Sequence, residues 1–306
     1  MNGKGTTMQK TDSVDSLVGT NWLAAHLDDP QARVRVLDIR GYVRHIDDGA
    51  GGMKAAYEAA RDEYDAGHIP GAVYVDWTRD ITDPDDAVPV QIAPPERFAA
   101  WAGSVGISDD THVVLYDHKG HIFATRLWWA FRYYGHDRVS VLNGGWAAWT
   151  AEGCPTTTDV PQIVPAIFTP HPRPALRVTA DEVAAISQDH AALLIDARAA
   201  DQYRGDVVRG GRGGHIPGAT NLNAATLLDP ITGKWRSDDE LAAMLREAGV
   251  DGTQPVVAYC GGGVNATGVL FALHRTGHPD GANYDGSWNE WGPRTDLPAA
   301  VSERDQ

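Results

Sequence analysis

An internal repeat constrains the fold of this chain more than any other feature of its sequence. The pentapeptide His-Ile-Pro-Gly-Ala occurs at residues 68–72 and again at residues 215–219. A glycine-containing segment with two tryptophans ends each copy, at residues 142–149 and 284–291. Because these matches occur in the same order and at nearly the same offsets, the chain is predicted to contain two copies of one domain.

Length and local pattern predict how the two copies are built. A chain of 306 residues suits two domains, each long enough to bury its own core. Short apolar runs such as residues 113–116 and 256–259 alternate with helical patterns, which predicts α/β domains with a mainly parallel sheet and helices on both faces. A proline-rich stretch predicts a linker over 151–174, between an N-terminal domain at 14–150 and a C-terminal domain at 175–300.

Charge and cysteine content exclude several classes of function. The formal net charge of −15 argues against a nucleic acid or an anionic membrane as partner. No apolar run approaches the roughly 20 residues that a bilayer requires, and the start of the chain is polar, so a cytoplasmic location is expected. Cys154 and Cys260 cannot form a disulfide framework, and no Cys/His pairing has zinc spacing. Neither a metal nor a cofactor is therefore expected.

Cys260 is the strongest candidate for a reactive residue. It follows the apolar run 256–259, and three glycines separate it from a helical pattern at residues 266–275. The N–H groups of a glycine loop and the N-terminus of a helix both favour negative charge, and hence a thiolate. Asp117 has the same position in the first copy, so the chemistry is predicted to lie in the second copy alone. The turn-like surroundings of Cys154 predict no role for that residue.

Four ordered motifs carry a resemblance to a known family. They are Asp-Ala-Arg at 196–198, Gly-His-Ile-Pro-Gly-Ala at 214–219, the Cys260 loop, and Asp-Gly-Ser-Trp-Asn-Glu-Trp at 285–291. Together they resemble the tandem-domain rhodanese family of sulfurtransferases, over nearly the whole chain. The resemblance implies two rhodanese-like domains, the first catalytically silent. It also implies that a small anionic donor passes sulfur to Cys260, and that a thiol, a thioredoxin-like protein or cyanide accepts it.

The chemistry of sulfur transfer explains the glycine loop. A sulfur carrier needs a soft nucleophile that can leave again, and only the cysteine thiolate attacks. The persulfide formed on Cys260 has a large, negative outer sulfur, which needs surrounding N–H groups and no obstructing side chain. Glycines permit this close approach and positive φ angles. The loop predicted to hold the persulfide, with Asn265 as a helix cap, consists of Gly261, Gly262, Gly263, Val264 and Asn265.

The identity of the donor is predicted from the resemblance to one subfamily. The loop sequence Cys-Gly-Gly-Gly-Val-Asn-Ala is closer to the Cys-Gly-Ser-Gly-Val-Thr-Ala of mercaptopyruvate-type members than to the Cys-Arg-Lys-Gly-Val-Thr of thiosulfate-type members. By the same resemblance, Arg204 and Arg212 bind the carboxylate and keto groups of the donor. The donor 3-mercaptopyruvate is therefore favoured, with thiosulfate and cyanide as the alternative pair of substrates. Gly262 and Asn265 depart from the serine and threonine of that subfamily, in which the serine has a proton-relay role, so the resemblance does not carry this relay over to the present chain.

Three further residues are expected to support the site. Arg198 is predicted to fix the end of its strand through an acid, for which Asp196 is the neighbouring candidate. His68, from the silent first copy, is predicted either to face the cleft or to have a purely structural role.

Two other classes of function remain open at this point. Phosphatases and arsenate reductases of this fold use Cys-x5-Arg, in which the arginine binds an oxyanion. Here the corresponding position is Ala266, and the next arginine is Arg275, which disfavours phosphoryl chemistry. A non-enzymatic sulfur carrier or a regulatory rhodanese module is the second alternative, and the intact Cys260 argues against the regulatory one.

Overall fold

The N-terminal half contains a parallel sheet and a separate hairpin. The structure, a computed structural model, describes residues 14–47, 49, 53–118, 121–209, 211–278 and 281–302. Within these residues, the strands of this half are β1 (Leu17–Val18), β2 (Val34–Asp38), β3 (Gly41–Asp47), β4 (Met53–Ala59), β5 (Val73–Tyr74), β6 (His112–Tyr116) and β7 (Val139–Leu142). Five of them form a parallel sheet in the order β1-β7-β6-β2-β5, and β3 pairs with β4 in an antiparallel hairpin.

Helices cover both faces of this sheet. Successive side chains of a strand point to opposite faces, and β6 is buried along its whole length. Val113 and Leu115 pack in one apolar cluster, while Val114 and Tyr116 pack in another on the opposite face. The helices of this half are α1 (Thr20–His26), α2 (Arg61–Ala66), α3 (Pro95–Ser104), α4 (Ile122–Tyr133) and α5 (Gly145–Ala151).

The C-terminal half repeats the same architecture. Its strands are β8 (Arg177–Val178), β9 (Leu193–Asp196), β10 (Thr220–Asn221), β11 (Val256–Tyr259) and β12 (Ala282–Tyr284). They form a parallel sheet in the order β10-β9-β11-β12-β8, which matches the order β5-β2-β6-β7-β1 of the first half. The predicted α/β fold with two parallel sheets is confirmed. Its helices are α6 (Ala180–Asp189), α7 (Ala200–Arg204), α8 (Asp238–Glu247), α9 (Ala266–Arg275) and α10 (Ser287–Trp291).

The ends of these helices follow from the local sequence. Thr179 and Ser237 each accept a hydrogen bond from the backbone N–H three residues later, and a glutamate side chain bonds back to complete a capping box before α6 and α8. None of the helices within the described ranges is long and apolar enough to cross a membrane.

The two halves pack against each other through α4 and α9. Trp128 of α4 lies edge-on to Phe271 of α9, with ring centroids 4.9 Å apart. The hydroxyls of Thr125 and Thr267 are 2.9 Å apart at the same contact. A single apolar core continues across both halves, so the carboxyl ends of the two sheets are held in a fixed relation.

The hairpin β3–β4 joins the two halves a second time. It is inserted between β2 and α2, and the second half contains no counterpart among the described residues. Met53, the first residue of β4, forms a β-bridge with Arg209, and Arg209 lies 3.0 Å from the ring of His45. The hairpin therefore extends from the first sheet to a loop of the C-terminal half.

The segment between Ala151 and Pro174 is extended. The structure describes all of this stretch, and its one β-bridge joins Thr157 to His68. A short 3-10 helix at Pro174–Leu176 leads into β8. The domain boundaries at residues 150 and 175 stay a prediction, which this extended segment supports.

Candidate active site

Cys260 lies at the carboxyl end of β11, where it directly follows the strand. Ligands of parallel α/β sheets bind at this end of the strands. The residue is only 2% exposed, yet it lines a cavity between the two halves of the molecule. The loop that follows leads into α9, whose N-terminus favours negative charge. The thiol therefore lies between the N-terminus of a helix and a cavity that a small molecule can enter.

Ser287 holds the loop around Cys260 in place. Its hydroxyl oxygen accepts hydrogen bonds from the backbone N–H groups of Cys260 and Gly263, both at 3.0 Å, and donates one to the carbonyl of Tyr284 at 2.7 Å. Ser287 has a φ of 51°, in the left-handed region that side chains rarely adopt. Its counterpart in the first half is Gly145, with a φ of 54°. A strained serine at a glycine position therefore fixes the cysteine loop.

The three glycines after Cys260 have different roles. Gly263 has a φ of +72°, and a Cβ there would lie 2.5 Å from the backbone oxygen of Asp285. Gly261 and Gly262 are not in the left-handed region, so Gly263 is the one of the three that uses a positive φ. At Gly261 a Cβ would meet open space, whereas at Gly262 it would lie 2.8 Å from the amide nitrogen of Asn289.

Val264 and Asn265 complete the loop and also line the cavity. The carbonyl of Val264 accepts a hydrogen bond from the hydroxyl of Thr267 at 2.7 Å. Asn265 occupies the N-cap position of α9 with helical dihedral angles, and its side chain makes no capping hydrogen bond within the described chain. The predicted cap at Asn265 is therefore wrong, because the residue already belongs to the helical turn rather than to the extended approach that a cap requires.

Arg198 and Asp196 form a buried pair beside the cysteine loop. The guanidinium donates to both carboxylate oxygens, with a shortest distance of 2.6 Å, and to the carbonyl of Gly214 at 2.7 Å. It also lies 4.3 Å from the ring centroid of Trp288. Burial lowers the pKa of Arg198, but the hydrogen bonds and charge of Asp196 outweigh this effect and raise it. The pair fixes the end of β9 and places a permanent cation at the wall of the cavity.

Arg204 and Arg212 do not line the cavity. Arg204 pairs with Asp206 at 2.9 Å, on a partly exposed surface. Arg212 donates to the carbonyls of Leu297 at 2.6 Å and Trp291 at 3.4 Å. Both sets of contacts lie within the C-terminal half. The donor-binding role predicted for these two arginines therefore has no contact in this structure to support it.

The cavity beside Cys260 has a volume of about 840 Å³ and lies between the two halves. One wall is the cysteine loop with Trp288 and Asn289, and the facing wall comes from the hairpin β3–β4 and the start of α4. Its size is in the range of pockets that bind small molecules. The basic side chains at its wall are His45, Lys54, His118, His121, Arg198 and Arg209.

Arg209 is the cavity arginine best placed to meet an anionic donor. Its guanidinium lies 3.0 Å from the Nε2 atom of His45, and burial together with the charge of Arg209 lowers the pKa of that histidine. The buried Nε atom of Arg209 has no hydrogen-bond partner among the described residues. In contrast, the charge of Arg198 is already neutralised by Asp196.

Asp117 occupies the position of Cys260 in the first half. Its carboxylate accepts backbone hydrogen bonds from Phe123 at 2.9 Å, Ala124 at 3.2 Å and His121 at 3.3 Å. These groups form the N-terminal turn of α4, which is where an anion binds most favourably. The chain's own carboxylate therefore occupies the anion position of the first half.

His68 has a structural role and does not face the cavity. Its ring is fully buried, with Nδ1 2.8 Å from the carbonyl of Tyr64 and Nε2 3.1 Å from that of Asp159. The ring stacks on Tyr64 at a centroid distance of 3.8 Å, and His215 stacks on Tyr203 at the same distance. The repeated pentapeptide thus keeps one packing arrangement in both halves. Of the two roles left open for His68, the structure supports the structural one.

Comparisons with known proteins agree with this geometry. The sequence profile of the rhodanese-like domain family matches residues 19–152 and 179–293. The chain is 35% identical to the sulfur carrier protein TtuD of Thermus thermophilus, over 94% of this chain and 97% of that protein. It is 37% identical to the thiosulfate sulfurtransferase of Cricetulus griseus, over 90% of this chain and 91% of that protein.

A solved structure shows the same arrangement of both halves. The crystal structure of SseA, a 3-mercaptopyruvate sulfotransferase from Escherichia coli, superimposes with a TM-score of 0.76 at 32% identity. The match covers 90% of this chain and 99% of SseA. The chain therefore belongs to the rhodanese family, with the domain present in two copies. The predicted family, the tandem arrangement and the sulfurtransferase class are confirmed by these matches.

Proposed function

We propose that this protein transfers sulfane sulfur from 3-mercaptopyruvate, through a persulfide on Cys260, to a thiol, a thioredoxin-like protein or cyanide. The observation that carries the proposal is the position of Cys260. It lies at the end of a parallel strand, beside the N-terminus of α9, and at a cavity whose wall includes Arg198 and Arg209. The cavity accepts a small anionic donor, and the loop favours the thiolate that attacks it.

The loop supports the persulfide after the first half of the reaction. Ser287 binds two of its N–H groups and so keeps the loop closed around the sulfur. The N-terminus of α9 stabilises the negative outer sulfur as it stabilised the thiolate. Gly261 leaves open space beside the cysteine, so an acceptor can reach the outer sulfur.

Arg209 supports the choice of donor. Mercaptopyruvate carries one carboxylate a few atoms away from its sulfur, and Arg209 supplies a cation at the cavity wall without a carboxylate partner of its own among the described residues. Thiosulfate concentrates two charges beside its sulfur, where Gly261 and Gly262 supply no cation. We infer that Arg209 binds the carboxylate of the donor, in place of the two arginines expected from sequence.

Similar proteins also support two alternatives, a thiosulfate sulfurtransferase and a sulfur carrier. A thiosulfate sulfurtransferase and a protein described as a sulfur carrier are both about as similar to this chain as proteins of the proposed class. In each alternative Cys260 would still carry the sulfur. The alternatives differ in the molecule that loads it, and a carrier would release its sulfur only to a partner protein.

A side-by-side assay of donors tests the proposal. The full chain would be treated with 3-mercaptopyruvate or thiosulfate, and persulfide formation and turnover with cyanide and with a dithiol would be measured. We expect the larger kcat/KM with mercaptopyruvate. Faster turnover with thiosulfate would overturn the choice of donor. Loading of sulfur without turnover to either small acceptor would favour the sulfur carrier.

A further inference from the structure

Tyr57 brings a hydroxyl from the first half of the chain to the cysteine loop of the second half. The residue lies on β4 of the hairpin and lines the cavity together with Cys260. A Cβ atom built on Gly262 would lie 3.2 Å from the Tyr57 hydroxyl oxygen. The hydroxyl therefore occupies the space that a side chain two residues after Cys260 would fill.

Asn289 orients this hydroxyl. Its amide nitrogen donates a hydrogen bond to the Tyr57 oxygen at 2.7 Å. A phenol that accepts in this way keeps its own proton for a different partner. Burial raises the pKa of Tyr57, negative charge on Cys260 raises it further, and the Asn289 contact only partly offsets both. The phenol therefore keeps its proton at neutral pH.

The aromatic residues beneath Tyr57 hold its ring in a defined place. Trp77 lies edge-on to it, with centroids 5.6 Å apart at an interplanar angle of 89°. The indole N–H of Trp77 donates to the carbonyl of Glu58 at 3.0 Å, on the same strand as Tyr57. Phe123 also packs against Trp77, with ring centroids 4.6 Å apart. A proton donor needs such a fixed position to act on one atom of a substrate.

We propose that Tyr57 donates the proton that the leaving group needs when Cys260 takes sulfur from 3-mercaptopyruvate. This inference rests on the donor proposed above. It assigns the proton transfer to a residue of the hairpin, at a site where the loop itself has only glycine.

The reaction step balances without any further reactant. The Cys260 thiolate attacks the thiol sulfur of the donor, the S–S bond forms, and the S–C bond breaks. The bonding pair of the S–C bond leaves with the carbon as the enolate of pyruvate. Tyr57 donates its phenolic proton to that enolate and regains one from the new Cys260–S–SH group. The products are pyruvate and a Cys260–S–S⁻ anion.

Thiosulfate provides an internal control, because its leaving group needs no proton. When the Cys260 thiolate takes the outer sulfur of thiosulfate, sulfite leaves as a stable dianion. A residue that merely supports the loop would affect both donors alike. A residue that protonates the leaving group affects mercaptopyruvate far more strongly.

The test is Tyr57→Phe, which keeps the ring against Trp77 and removes only the hydroxyl. In single-turnover experiments on the full chain, we expect persulfide formation from mercaptopyruvate to slow by about 100-fold, the scale of positioned proton transfer. The loss with thiosulfate should be smaller by roughly a factor of ten or more. The matched control is Tyr203→Phe on α7, which does not line the cavity and whose hydroxyl donates to the carbonyl of Ala219 at 2.6 Å. It should leave the ratio of the two donor rates nearly unchanged.

Each outcome decides one of the two proposals. Equal losses with both donors in Tyr57→Phe would overturn the proton-donor role, and so would an unchanged rate with mercaptopyruvate. A wild-type protein that does not use mercaptopyruvate would instead overturn the choice of donor. Thermal unfolding of the variants would be measured alongside, and a folding defect in Tyr57→Phe would make the ratio of the two rates, rather than either rate alone, the deciding quantity.

Discussion

At the scale of single residues, the two cysteines differ in their surroundings. Cys260 is buried at the N-terminus of a helix and at the wall of the cavity. Cys154 lies in a turn after α5, where burial and the nearby charge of Glu152 raise its pKa. A raised pKa keeps the thiol protonated and unreactive. Only one of the two cysteines therefore has the surroundings of a nucleophile.

This contrast gives the first prediction. Cys260→Ser should abolish sulfur transfer, while Cys154→Ser should leave it nearly intact. After donor treatment, mass spectrometry should show an increase of about 32 Da, one sulfur atom, on the peptide that contains Cys260. Sulfur found on Cys154, or turnover that survives Cys260→Ser, would exclude Cys260 as the carrier.

The loop glycines give a prediction about stability. Gly263→Ala forces a Cβ to within 2.5 Å of a backbone oxygen at a φ of +72°, and backbone cannot move as a side chain can. We expect a loss of about 1–3 kcal/mol in the free energy of unfolding. Gly261→Ala, which meets open space, is the matched control and should change it by only a few tenths of a kcal/mol. Urea denaturation measures the free energy of unfolding of both variants. Equal stability of the two would contradict the conclusion that the loop requires glycine at position 263.

Sequence patterns located Cys260, its glycine loop and the Arg198–Asp196 pair, but not the other residues around the cavity. The strand, the glycines and the helix are consecutive in the chain, so their spacing fixes where the cysteine lies. Arg204 and Arg212 are also close in sequence, yet their side chains bond Asp206 and two backbone carbonyls. Spacing alone does not determine which way a long side chain points. One sequence signal could have identified Ser287, because it replaces Gly145 of the first copy.

At the scale of elements, the hairpin β3–β4 is what the sequence did not predict. It has no counterpart in the second half among the described residues, so the repeat gives no signal for it. Its strands are mostly half-buried or exposed, which weakens the apolar pattern that marks a strand. Tyr57 and His45 reach the site only through this element.

The contact between the hairpin and the C-terminal half gives the third prediction. Arg209→Ala should lower kcat/KM for mercaptopyruvate by roughly ten- to a hundredfold, since a hydrogen bond between charged groups is worth about 1.5–3 kcal/mol. Arg204→Ala removes an arginine outside the cavity and should change kcat/KM much less. Steady-state kinetics of the two variants show which arginine binds the donor. A large loss in Arg204→Ala with none in Arg209→Ala would support the donor-binding role predicted from the sequence for Arg204.

At the scale of the whole molecule, duplication was predictable and the packing of the copies was not. Repeated motifs fix the number of domains and the order of their strands. The cavity depends on how α4 meets α9 and on Arg126, which forms a buried ion pair with Asp285 and donates to the carbonyl of Gly263 at 3.2 Å. These contacts join residues more than a hundred positions apart, and no local pattern encodes them.

The final prediction concerns the first half, which is predicted to be catalytically silent, and rests on Asp117. Because backbone N–H groups of His121, Phe123 and Ala124 bind its carboxylate, the first half already contains an anion at the position that Cys260 has in the second half. Asp117→Asn keeps an oxygen acceptor but removes the charge-assisted part of these bonds, so stability should fall by about 1–2 kcal/mol. Sulfur transfer should largely persist, because an aspartate cannot carry sulfur. Thermal unfolding and turnover would be measured on the same preparation. A loss of turnover as complete as that of Cys260→Ser, in a variant that remains folded, would mean that the first half acts directly in the reaction.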